Sequence, residues 1–278
     1  MTRWLPVLML AALPQWADGQ LTLRQDSEPM SVFCGGAKTI STTWHCAGEK
    51  PFSIDARLRL LLASASTAAP VAETPWKRLE ILPGQTVLET AQANFPEVRA
   101  ATPFVIQWIG ESNQVLGASQ LTVYPASLLA ELAPLAAGTP IGLFDPQNAL
   151  KPLLKSVKQE YVDLEESNFE NFTGRLAIAG PFTNRTQLRK NLGLQIEALV
   201  KRGVGAVWLL PPMDRGETRR EPIAPSFYSL PQNGVALVVA QAFLTRDLAD
   251  NPQAQLHLIQ FAKLALHPEP PRIPFTEP

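Results

Sequence analysis

The stretch "RGVGAVWLLPPMDRGETRREP", Arg202 to Pro222, decides how the second half of the chain is read. Gly203 ends a helical run, "GAVWLLP" (205–211) is apolar throughout, and Pro211 and Pro212 stop it before a charged loop. A strand that is apolar on both faces needs cover on both faces, which a parallel sheet flanked by helices supplies. Similar runs stand at 141–145 ("IGLFD"), 160–165 ("EYVDLE"), 174–182 ("GRLAIAGPF") and 234–242 ("GVALVVAQA"). Helical patterns lie between them. Asp145 followed by Pro146 reads as an N-cap with Pro at the first helical position, with Pro152 kinking or delaying the helix. Leu188, Leu192, Ile196 and Leu199 line one face of a helix over 186–201, and Asn251 with Pro252 opens the last one. Alternating strands and helices predict a doubly wound α/β domain over 141–268, ending in a proline-rich tail, 269–278.

Upstream the rhythm is different. Short strands are predicted at 21–25, 30–35, 38–46, 52–64, 77–82, 86–95, 101–111 and 115–125, with Gly, Pro and Asn between them. A repeat of about ten residues with such punctuation predicts a β-sandwich over 20–124. The segment 125–140, "PASLLAELAPLAAGTP", reads as a linker with a helix over 127–137.

The first 19 residues carry Arg3, an apolar run from Trp4 to Trp16 broken by Pro6 and Pro14, and small residues Ala17 and Gly19 before Gln20. That order predicts a cleaved secretory signal and a periplasmic or extracellular protein. No later run nears the roughly 18 apolar residues of a membrane helix. The 278 residues are 46% hydrophobic and carry a net charge of −1, which argues against nucleic-acid binding. Cys34 and Cys46 are the only cysteines. Strand alternation turns both toward one core, and two alternatives stay open: one disulfide, or two buried reduced thiols. His45 points away from Cys46, and His257 and His267 lie far off, so no metal site is expected.

On "LPGQTVLETAQANFPEV" and "FVIQWIGESNQVLG", the first domain resembles the immunoglobulin-like sandwiches of exported bacterial proteins. On "TPIGLFD", "FTGRLAIAGP", "RGVGAVWLLPP" and "GVALVVAQA", the second resembles the class I glutamine amidotransferase-like, flavodoxin-like superfamily. That resemblance implies a cysteine nucleophile at a strand-to-helix elbow. The chain departs from it there. No cysteine follows Cys46, and two prolines remove backbone donors that an oxyanion hole would use. No catalytic residue is carried over.

Other chemistry is thinly represented. G-x-S-x-G, a P-loop and G-x-G-x-x-G are all missing from the sequence, so no cofactor is expected. In an open α/β sheet, ligands gather beyond the carboxyl ends of the strands. Asp145, Glu165, Asp214, Arg219, Arg220 and Tyr228 are the ligand-binding candidates on that rim. The expectation is an exported, non-catalytic protein that binds a protein or small molecule in the cell envelope. The alternatives are an exported hydrolase beside Asp145, Glu165 and the 212–225 loop, and sugar recognition by Trp76 or Trp108.

Overall fold

The computed structural model describes residues 21–24, 30–182, 187–210, 226–241 and 248–268; for 226–230 and 241 it describes the backbone alone. It is a mixed α/β structure, mostly strand, and the chain divides into two compact units at Pro125/Ala126. The secretory pattern over 1–19, Asp214, Arg219, Arg220 and the 269–278 tail lie outside the described residues.

Among the described residues the first unit holds eight strands: β1 (Leu21–Arg24), β2 (Met30–Phe33), β3 (Ala37–Cys46), β4 (Phe52–Ala63), β5 (Ala68–Ile81), β6 (Thr86–Asn94), β7 (Thr102–Ile109) and β8 (Val115–Tyr124). They form a three-stranded sheet, β1-β3-β6, and a five-stranded sheet, β2-β8-β7-β4-β5. Alternation explains how the two enclose one core. Ile40, Trp44 and Cys46 of β3 are buried in the same cluster as Leu58 and Leu60 of β4 and Phe104, Ile106 and Trp108 of β7. At its centre Trp44 and Trp108 meet edge to face, 5.7 Å between ring centroids. The strand β5 begins nine residues earlier than the expected 77, with Pro70 and Pro75 inside it. It is an edge strand, and proline is tolerated where one side of the backbone has no ladder partner.

The cysteine alternatives resolve on geometry. Both thiols are free and buried. The ten residues of β3 put its ends about 30 Å apart. Cys34 precedes the start of that strand and Cys46 ends it. A disulfide needs Cα atoms within about 7 Å. The pattern rightly turned both side chains inward, but at opposite ends of the core. Cys34 Sγ donates to Glu97 Oε2 at 3.2 Å, and Cys46 Sγ lies 3.8 Å from the Lys50 carbonyl.

Among the described residues the second unit has one six-stranded sheet. Its strands are β9 (Ile141–Phe144), β10 (Tyr161–Asp163), β11 (Leu176–Ala179), β12 (Gly205–Leu210), β13 (Ser226–Gln232) and β14 (Val235–Gln241), in the order β10-β9-β11-β12-β14-β13. All pairs are parallel except β13 with β14. The helices are α1 (Leu132–Leu135), α2 (Lys151–Ser156), α3 (Leu192–Lys201) and α4 (Pro252–Leu266). Leu192, Ile196, Leu199 and Val200 of α3 cover one face with Ala177, Ala179, Ala206, Leu237 and Val239. The other set of side chains, including Val207, Val238 and Ala240, is buried on the face where α4 packs against β12 and β14. Gly205 permits that approach: a Cβ there would lie 2.9 Å from the Ala265 carbonyl oxygen.

Three local expectations change. The "APSFYSLP" region, expected as loop, contains β13, joined to β14 through Asn233 and Gly234, both at positive φ (52° and 77°). Two such residues close a two-residue hairpin. The helix expected after Pro146 begins only at Lys151, with Pro152 in its first turn, where the missing N–H has no partner to lose. The expected 127–137 helix is a 3₁₀ turn over Leu128–Glu131 followed by the single turn of α1, and it packs against α4. The opening of α4 is as read: Asn251 accepts the Gln253 N–H at 2.9 Å.

Candidate functional site

The chain leaves β9 for β10 on one side and returns to β11 on the other, so the connections diverge between β9 and β11. In open α/β sheets that divergence opens a crevice at the carboxyl ends of the strands. Here those ends are Phe144–Asp145, Asp163–Glu165 and Ala179–Gly180. The Gly180 N–H donates to the Phe144 carbonyl at 2.8 Å, which ties β11 to β9 at the rim. Gly180 has φ 102°, and a Cβ there would stand 2.7 Å from the Leu209 carbonyl oxygen, so the position requires glycine.

Asp145 is 1% exposed. Its Oδ1 accepts the Ala149 N–H at 3.0 Å, and its Oδ2 accepts those of Leu150 at 2.7 Å and Lys151 at 3.0 Å. The Asn148 N–H bonds to the Asp145 carbonyl at 3.0 Å. The side chain therefore gathers the donors that precede the first helical bonds of α2. It does so from further upstream than an ordinary N-cap.

Glu165 and Asp163 stand over the same turn. Lys151 Nζ lies 2.7 Å from Glu165 Oε1 and 2.7 Å from Asp163 Oδ2, with its side chain 17% exposed. Partial burial works against the ammonium charge. The hydrogen bonds to Asp163 and Glu165 and the field of both carboxylates outweigh it, holding the Lys151 pKa above its ordinary 10.5. Burial likewise opposes ionisation of Asp163, yet the Lys151 hydrogen bond and the N–H groups of Glu165 and Glu166 leave its carboxyl below the ordinary 3.8.

Arg189 completes the edge. Its Nη2 donates to the Glu165 carbonyl at 2.8 Å, and its guanidinium carbon stands 5.0 Å from the centre of the Phe144 ring. Between α3 and the sheet, the gap lined by Leu164, Phe169 and Ile196 is too tight for a water molecule.

Of the residues expected on the rim, Asp145 and Glu165 are brought together around the start of α2, with Lys151 between Glu165 and the capped turn. Tyr228 lies in β13, on the far edge of the sheet from β10. Asp214, Arg219 and Arg220 lie outside the described residues. Sequence reasoning passed over Lys151 and Arg189. The signal for Lys151 was weak: a lysine six residues beyond an aspartate. For Arg189 there was only a basic residue within the helix expected over 186–201, which begins at Leu192 and leaves Arg189 ahead of it.

The sugar-recognition alternative weakens on geometry. Trp108 is 0% exposed, so it offers no surface for a sugar ring. Trp76 is half-buried and donates through Nε1 to the Thr90 carbonyl at 3.0 Å. Among the described residues, no group of three or more His, Cys, Asp or Glu is placed to hold a metal ion, and no helix is long and apolar enough to cross a membrane.

No family model matches the chain, and no curated protein matches it. Structural similarities are partial. An alkylpurine DNA glycosylase of Pseudomonas fluorescens is 9% identical, over 38% of this chain and 31% of that one, with a TM-score of 0.29. A β-glucosidase of Listeria innocua is 14% identical over 37% and 16%, with a TM-score of 0.28. A Niemann-Pick type C2 protein of the Japanese carpenter ant is 6% identical over 38% and 89%, with a TM-score of 0.28. The chain spans under a third of the glycosylase and about a sixth of the glucosidase. Likeness at this level carries no argument about function.

Proposed function

We propose that this is an exported, non-catalytic binding protein. Its first unit is an immunoglobulin-like sandwich. Its second is a flavodoxin-like domain of amidotransferase-like ancestry that keeps the ligand-gathering edge without the nucleophile. The observation that carries this reading is the commitment of the acidic groups at the edge. The Asp145 carboxylate takes three backbone N–H groups, and Asp163 and Glu165 share Lys151. A carboxylate that holds a helix start cannot exchange protons with a substrate without releasing those donors. A binding rim makes no such demand. The secretory order of residues 1–19 supports export.

The test is a thermal-shift screen of the purified mature chain against sugars, nucleotides and peptides, run beside ester, amide and glycoside turnover assays. A ligand at 100 times its Kd adds about 2.7 kcal/mol to stability. A saturable rise with at least one ligand class and no turnover is expected. Turnover proportional to protein concentration and abolished by Glu165→Gln would refute the reading. Export is checked by the N-terminal sequence of the protein recovered outside the cytoplasm, expected to begin at Gln20.

A further inference from the structure

We infer that Arg189 is the ligand-recognising residue of this edge and that it takes an oxyanion, the carboxylate or phosphate of a small molecule. The inference rests on the proposed reading of the edge as a binding rim and names its chemistry.

Lys151, the other cation of this edge with described contacts, is balanced by two carboxylates. Among the described residues Arg189 meets no carboxylate: its partners are the neutral Glu165 carbonyl and the Phe144 ring. It is exposed, so its charge needs no partner for stability. Both contacts orient it. Phe144 ends β9 and is 1% exposed, so its ring is fixed by the core. Glu165 follows β10 and is fixed in turn, its N–H donating to Asp163 Oδ1 at 2.9 Å. The guanidinium is thus anchored to the carboxyl ends of two adjacent strands, beside the divergence between β9 and β11.

A guanidinium carries five N–H donors in a planar fork, and the Glu165 carbonyl engages one nitrogen. Stacking on an aromatic face leaves the in-plane donors available. A planar fork held in place suits a two-oxygen anion, which it meets with paired charge-assisted hydrogen bonds.

The test uses the mature chain with ¹⁵N-labelled arginine. The Arg189 Nε–Hε signal is assigned as the one lost in Arg189→Lys, then followed during titration with sodium phosphate and, separately, sodium acetate, with sodium chloride holding ionic strength constant. A saturable shift with either anion is expected. Arg189→Lys should weaken the affinity about tenfold or more, measured by thermal shift, while its own melting temperature stays near that of the parent. The responding anion then distinguishes phosphate from carboxylate ligands. Shifts that never saturate with either anion overturn the inference, as does a saturable response that Arg189→Lys leaves unchanged. A neutral ligand that stabilises the chain while both anions fail removes the role of Arg189 and leaves the binding reading standing. Failure of the anions and of the whole ligand panel removes both.

Discussion

Replacing Asp145 separates a structural carboxylate from a functional one. In Asp145→Ala the N–H groups of Ala149, Leu150 and Lys151 lose their acceptor in a place the side chain had sealed to 1% exposure. A hydrogen bond to a charged group contributes about 1.5–3 kcal/mol, and loss of a helix-start acceptor alone costs about 0.5–2 kcal/mol. The three bonds share one acceptor and are not additive. Water can also reach part of the vacated turn, so the expected loss is about 3 kcal/mol. Asp145→Asn keeps one oxygen and puts an NH₂ group against donors. It should lose about 2 kcal/mol, well short of full rescue. Denaturant unfolding followed by far-UV circular dichroism reports on this unit, because the described α-helices all lie in it. A loss of 3 kcal/mol corresponds to a fall in melting temperature of roughly 6–12 °C for a domain of this size. The reasoning is refuted if both variants stay within about 0.5 kcal/mol of the parent, the range of an inert surface change. If ligand response or turnover vanished at the same time, Asp145 would be a working group of the site rather than the cap of α2.

Three further outcomes are expected. Asp163 titrates below its ordinary 3.8 in the folded chain, so its contribution to stability is present above about pH 4 and is lost as the pH falls through the depressed value. The stability gap between the parent and Lys151→Met should therefore be widest near neutral pH and shrink in acid; a gap constant from pH 7 to pH 3 would contradict the ion-pair assignment. Non-reduced protein unfolded in guanidinium should yield two titratable thiols per chain, Cys34 and Cys46, and the appearance of thiols only after adding a reductant would contradict their placement at opposite ends of β3. Gly205→Ala should cost about 1–3 kcal/mol, read by denaturant unfolding, because its Cβ would press on the Ala265 carbonyl and Leu266 of α4. Parent-like stability would mean that α4 does not lie that close.

The places where the sequence was legible share a cause: the signal was local and periodic. Apolar runs at 141–144, 176–179 and 205–210 are strands because each is covered on both faces, with Trp208 and Leu210 half-buried. Asn251 caps α4 because the acceptor and its N–H are two residues apart. Asn233–Gly234 is equally local, a two-residue hairpin signal between Gln232 and Val235 that joins β13 to β14. The prolines in β5 misled for the opposite reason. Their cost depends on whether a neighbour pairs with that side of the backbone, which only the sheet order decides. Cys34 and Cys46 show the same limit: alternation states which way a side chain points and is silent on how far along the core it lies.

The edge depends on contacts that periodicity does not encode. The strand-end rule was enough to bring Asp145 and Glu165 to one rim. It could not say what either carboxylate does there, because that depends on which donors reach it. The donors come from Ala149, Leu150 and Lys151 for one, and from the Lys151 side chain for the other. One lysine thus serves both carboxylates, its backbone bound to Asp145 and its ammonium to Glu165. A pairing of this kind joins a loop, a helix start and a strand end, and no spacing in the sequence announces it. Each of these two ligand-binding candidates therefore has structural partners in the described chain. By the same accounting Arg189, which the sequence did not single out, becomes the cation at this edge whose charge no described carboxylate balances.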